Sequence, residues 1–134
     1  MATLQCEIVT PERKLYSEEA GFVVLPGSAG EMGVLPGHAP TVTTLDAGRV
    51  DVRMALDAKD GVRFLVAGGY AQVETDRVII LADRAIDVKE IDFDAAQAEA
   101  QSAKSRLAEM SDDDPNRAFA ESEMKWNELL LSQR

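Results

Sequence analysis

The sequence predicts an α+β fold that is mainly β, with an N-terminal flattened β-sandwich or barrel followed by a C-terminal antiparallel two-helix hairpin. Three observations predict it. From Leu4 to about Val88 the apolar residues recur with the period of strands. Near residue 90 the spacing changes to steps of three and four, the period of a helix. Between the two helical stretches lies a short acidic break that ends in proline. The expected division is 1–88 for the sheet domain and 89–134 for the hairpin.

In chain order, Leu4, Cys6 and Ile8 alternate with Gln5 and Glu7, and Val50, Val52 and Met54 alternate with Asp51 and Arg53. Each apolar set then shares one face of a half-buried strand. Further strand-like runs lie at Phe22 to Leu25, Val62 to Val66 and Val78 to Leu81. Turn signals separate them at Thr10-Pro11, Pro26-Gly27, Asp60-Gly61, Gly68-Gly69 and Thr75-Asp76. Gly68-Gly69 is either a turn or a place where another backbone comes close.

From Asp92 to Met110 there is no proline or glycine, and Phe93, Ala96, Ala100, Ala103, Leu107 and Met110 form one helical stripe. Asp92 or Asp94 caps its first turn. Asp114 is placed to cap a second helix with Pro115 at its first position, and Phe119, Ser122, Trp126 and Leu130 are expected on its inner face. Alanine along the first helix lets the second approach closely. The hairpin has few large apolar side chains, so it is expected to lean on the sheet domain or on a partner.

Composition narrows the function. A length of 134 residues suits one domain, or one domain with a small appendage. The net charge of −10 argues against nucleic acid and against direct docking on an anionic membrane. Cys6 is the only cysteine and His38 the only histidine, too few for an intramolecular disulfide or a zinc site. Met1-Ala2-Thr3-Leu4 lacks the features of a signal peptide, and Val78 to Ala82 is too short an apolar run to span a bilayer. A soluble protein is expected, reaching a membrane only through a partner.

The most specified stretch is Gly27 to Pro40, G-S-A-G-E-M-G-V-L-P-G-H-A-P, which holds four of the nine glycines and His38. Pro36-Gly37 sets up a tight turn, since proline fixes the first central residue and glycine accepts positive φ at the second. His38 could serve as a general base, but neither an orienting carboxylate nor a nucleophile is spaced near it, so a structural role is favoured. The glycines fit neither a dinucleotide fingerprint nor a P-loop. Glu31 reads as a solvated carboxylate or as a contact for a basic partner. Met32, Val34 and Leu35 read equally as a local core plug or, Met32 foremost, as a partner-facing set.

This stretch, with Gly48-Arg49-Val50, Phe64 to Val73 and Val78 to Ala85, resembles the epsilon subunit of bacterial F-type ATP synthase over nearly the whole chain. The resemblance implies a sandwich of about ten strands with a helical hairpin. It implies a non-catalytic rotor subunit of the central stalk, with no catalytic residue, cofactor or metal of its own. Its sheet domain would bind the gamma subunit and sit on the c ring, coupling proton-driven rotation to ATP synthesis. The hairpin would contact the alpha and beta subunits and regulate ATP hydrolysis. The location implied is the cytoplasmic face of the bacterial plasma membrane. Glu31, Met32 and His38 are the matching partner-facing positions. In members that bind ATP the first helix opens with Ile or Leu, Asp, two variable residues, Arg and Ala. The matching residues are Ile91, Asp92, Ala95 and Ala96, so the arginine is missing at position 95. The competing readings are a small β-sandwich enzyme using His38 and a nucleotide-sensing module.

Overall fold

The computed structural model describes residues 2–55 and 61–134. Ten strands make up the first unit: β1 (Leu4–Val9), β2 (Lys14–Ala20), β3 (Phe22–Gly27), β4 (Gly30–Val34), β5 (Thr41–Thr44), β6 (Gly48–Arg53), β7 (Gly61–Val66), β8 (Gly69–Val73), β9 (Arg77–Ala82) and β10 (Ala85–Asp87). They form two five-stranded sheets, ordered β2-β1-β9-β8-β5 and β10-β7-β6-β3-β4. Among the described residues only β1 and β9 pair in parallel; the other neighbours are antiparallel.

Period-two patterning builds the core between the sheets. Leu4, Cys6 and Ile8 of β1, Val78 and Ile80 of β9 and Ala71 and Val73 of β8 face inward from one sheet. Val23 and Leu25 of β3, Val50 and Val52 of β6 and Phe64 and Val66 of β7 meet them from the other. Tyr16 of β2 reaches across to Phe64, ring edge toward ring face, with centroids 5.6 Å apart.

Some expectations need correction. Met54 lies beyond the end of β6 and is 54% exposed, because the alternation stops with the strand at Arg53. Pro26-Gly27 is the end of β3, and the chain turns at Ser28-Ala29 instead. Asp60 lies outside the described residues, while Gly61 opens β7. Gly68-Gly69 does both things considered for it. It joins β7 to β8 with φ of +84° and +114°, and a Cβ on Gly69 would stand 2.1 Å from the Leu81 carbonyl oxygen.

Cys6 has no exposed surface, and its pKa is raised from 9.0 to about 12, first by loss of hydration and then by the charge of Glu7. The unfolded chain ionises this thiol first, so its contribution to stability is complete below pH 9.0 and is lost as pH rises toward about 12. At pH 8 a thiol reagent is expected to leave Cys6 unmodified in the native chain and to label it fully in denaturant. Rapid labelling without denaturant would contradict its burial.

The second unit runs Val88–Arg134, the first being Met1–Asp87. A single 3₁₀ turn, Val88–Glu90, precedes α1 (Phe93–Glu109) and α2 (Arg117–Leu131). Asp92 caps α1, its side chain accepting the Ala95 N–H at 3.0 Å. All six positions of the predicted α1 stripe are buried or half-buried, Ala96 and Ala103 most completely. On α2 the buried residues are Ala120, Asn127 and Leu130. Phe119 is instead 62% exposed and Ser122 is exposed. The inner stripe of α2 is thus rotated by about one residue, and Ala120 takes the place expected of Phe119, which allows close approach to alanines on α1. α2 also starts later than expected. Asp114 does accept the Asn116 N–H at 2.8 Å, but Pro115 belongs to the turn before the helix.

Candidate functional site

The stretch from Gly27 to Pro40 is half strand and half turn. β3 and β4 form a tight hairpin with Gly27 opposite Gly30, and its tip is tied to β5. The Ser28 N–H donates to the Thr44 carbonyl at 2.9 Å, and the Thr44 hydroxyl donates to Ser28 Oγ at 2.8 Å. After β4, the His38 N–H donates to the Leu35 carbonyl at 3.1 Å, closing a turn with Pro36 and Gly37 at its centre. Gly37 has φ +88°, which proline at the first central position and glycine at the second predict. The Gly37 N–H reaches the Thr75 carbonyl at 2.7 Å, so the turn is anchored to the connection between β8 and β9. Two projecting turns are therefore held on a hydrogen-bonded frame.

Glu31 stands on β4 opposite Pro26 and is exposed, so it is a strand residue within a stretch rich in turn residues. Met32, opposite Leu25, packs against the core and stays half-buried, which favours the core-plug role for it. Val34 is fully buried and Leu35 is exposed. His38 Nδ1 lies 2.7 Å from the Ala39 carbonyl oxygen, a contact that requires the proton on Nδ1. Among the described residues the ring is thus oriented by its own backbone and not by a carboxylate. Glu31, Met32 and His38 belong to one continuous segment, but the hydrogen bonds do not join them into a catalytic constellation.

At the start of α1, Ile91 and Ala96 are buried, Asp92 is spent on the cap, and Ala95 is exposed. A cation does reach this end. Arg134 Nη2 lies 3.7 Å from Asp94 Oδ1, its Nη1 donates to Gln97 Oε1 at 3.5 Å, and its guanidinium carbon is 5.6 Å from the centroid of the Phe93 ring. Sequence reasoning missed this contact because it joins residues from opposite ends of the hairpin. Both partners are largely exposed, so the ion pair is a water-screened surface contact.

A sequence profile described as "ATP synthase, Delta/Epsilon chain, beta-sandwich domain" matches residues 3–88. The chain belongs to this family. It is similar to the ATP synthase epsilon chain of Moorella thermoacetica, 45% identical over 109 residues, spanning 81% of this chain and 80% of the relative. It is also similar to that of Propionigenium modestum, described as sodium ion specific, 38% identical over 113 residues and spanning 84% and 80%. Among solved structures it resembles a chain of the Euglena gracilis mitochondrial ATP synthase assembly of OSCP, F1 and c-ring. The TM-score there is 0.77 at 25% identity, covering 98% of this chain and 81% of that one. A chain from the central stalk and c-ring of Tetrahymena thermophila ATP synthase shares the fold, with TM-score 0.61 at 19% identity over 96% and 94%. As a member of the delta/epsilon family the chain is a structural stalk subunit of ATP synthase and not its catalytic subunit. No helix among the described residues is long and apolar enough to cross a membrane.

Proposed function

We propose that the chain couples rotation of the c ring, through the gamma subunit, to ATP synthesis at the cytoplasmic face of a bacterial plasma membrane. The observation that carries this reading is the match of the delta/epsilon sandwich profile to residues 3–88, because it covers all ten strands and both turns of the Gly27 to Pro40 stretch. In this reading Glu31 meets the ring, His38 lies close to gamma and the ring, and the sandwich meets gamma. Met32 supports the contact from beneath by filling the space between β4 and the core. The coupling ion is a property of the ring; a sodium-specific relative at 38% identity is consistent with one sandwich serving either ion.

The test is binding to the gamma subunit of the same organism, measured by calorimetry with the whole chain and with residues 1–88. The stalk reading expects both to bind with the same affinity, since the period-two core ends before α1. A folded 1–88 fragment that does not bind gamma would overturn the placement of that contact in the sheet domain.

The hairpin is the regulatory element in this reading, and ATP does not govern it. A guanidinium offers phosphate oxygens a fixed fork of donors and a permanent charge, and alanine at position 95 offers neither. Asp94 places a negative charge beside position 95, and Asp112, Asp113 and Asp114 add negative charge in the connection between the helices. Titration of the whole chain with ATP, followed by Trp126 fluorescence and calorimetry, is expected to show no saturable binding below millimolar ATP. Saturation at sub-millimolar ATP would refute the argument from the missing arginine.

A further inference from the structure

On the outward face of β6 and β7, one carboxylate organises three arginines. Asp51 is 8% exposed and its Oδ1 lies 3.3 Å from Arg63 Nε, while its Oδ2 lies 3.7 Å from Arg49 Nε and 3.7 Å from Arg53 Nη2. The sheet register produces this arrangement. Asp51 stands directly opposite Arg63, and Arg49 and Arg53 flank it at two residues on either side, on the same face of β6.

One carboxylate balances one guanidinium, so the cluster carries a surplus of about two positive charges within a chain of net charge −10. The arginine side chains at 49, 53 and 63 are 48%, 33% and 52% exposed, so the surplus faces water. The separations exceed the ~2.7–2.9 Å of a charge-assisted hydrogen bond, leaving the guanidinium donors available for an incoming acceptor. Phe22, opposite Arg53, and Val24, opposite Asp51, add half-buried apolar surface on the adjoining strand. Arginine beside an aromatic ring is the composition enriched at protein interfaces.

We propose that this face is a docking surface for an acidic protein segment, recognised by Arg49, Arg53 and Arg63 and held in register by Asp51. Charge complementarity selects this class of partner. Asp51 occupies the point where the three guanidinium groups converge, so an incoming anion meets their outer, water-facing donors, which suits carboxylates spread along a peptide. Asp51 within the fan further disfavours a compact polyanion. Remote negative charges of the chain are screened beyond about 8 Å at physiological salt, so the patch acts locally. The inference stands on the ion-pair geometry of β6 and β7 and is independent of the stalk assignment.

The test uses the whole chain and fluorescein-labelled poly-L-glutamate as the probe, followed by anisotropy. Salt-sensitive binding is expected, weakened about tenfold or more in the Arg49→Gln/Arg63→Gln double variant. Asp51→Asn is expected to bind several-fold more tightly, because it unbalances the third guanidinium. A purely structural cluster would weaken binding in both variants, and thermal unfolding of each variant separates loss of fold from loss of charge. Should Asp51→Asn fail to fold, Arg49→Gln alone is expected to give an intermediate loss. Absence of binding by the native chain, equal affinity in the double variant, or displacement of the probe by inorganic triphosphate at lower concentration than by unlabelled poly-L-glutamate would overturn the proposal.

Discussion

Gly69→Val is expected to unfold the sheet domain or to lower its melting temperature drastically. Gly69 has φ +114°, a region closed to side chains, and the added Cβ would stand 2.1 Å from the Leu81 carbonyl oxygen and 2.9 Å from Ala82 Cα. Because Leu81 and Ala82 belong to β9, which pairs with both β8 and β1, relief of the clash requires the middle of a five-stranded sheet to move. Backbone strain of roughly 1–3 kcal/mol combines with the loss of pairing and core packing, for a total of about 4 kcal/mol or more. That is a large share of the ~5–15 kcal/mol by which domains are stable, and corresponds to a fall of roughly 15 °C or more in a domain of this size. Circular dichroism melting measures it directly. A variant within a few degrees of the parent would show that β8 and β9 do not approach so closely.

Glu31→Lys is expected to leave folding intact and to damage coupling. Glu31 is exposed on β4, so the isolated chain should change by no more than about 0.5 kcal/mol. At the proposed ring contact, however, the charge presented to the partner is reversed, and a tenfold loss of association, about 1.4 kcal/mol, is expected. Ion-driven ATP synthesis in membranes carrying the variant should fall accordingly, with Glu31→Gln intermediate. Unchanged synthesis together with unchanged association would remove Glu31 from that contact.

What the sequence made legible follows from which signals are local. The α1 stripe was read in full because Phe93 to Met110 carries a single uninterrupted period with no proline or glycine. α2 was misread by about one position because Phe119 is larger than Ala120, and bulk is a poor guide where two helices meet through alanines. β2 escaped notice because it is an edge strand whose Glu18 and Glu19 are exposed, which obscures alternation and protects the edge from pairing with other chains. β4 escaped because Gly30 and Gly33 look like turn residues; Gly33 instead leaves room for the Phe22 ring, 3.0 Å from where its Cβ would lie.

The candidate site was legible in the same uneven way. The Pro36-Gly37 turn is set by two adjacent residues, and the structure has it as expected. Placing Glu31 and Met32 on opposite faces of one strand depends on pairing with β3, which is a long-range fact. The arginine cluster is partly visible in the alternation of Arg49, Asp51 and Arg53, but Arg63 joins it only through the register of β6 and β7.

The most direct test of the stalk assignment is purification of the tagged chain from native membranes, with its companions identified by mass spectrometry. The assignment predicts recovery with the gamma subunit and the c ring, together with the catalytic sector of ATP synthase, in constant proportion through successive purification steps. Recovery of the chain alone, or with proteins unrelated to ATP synthase, would contradict it.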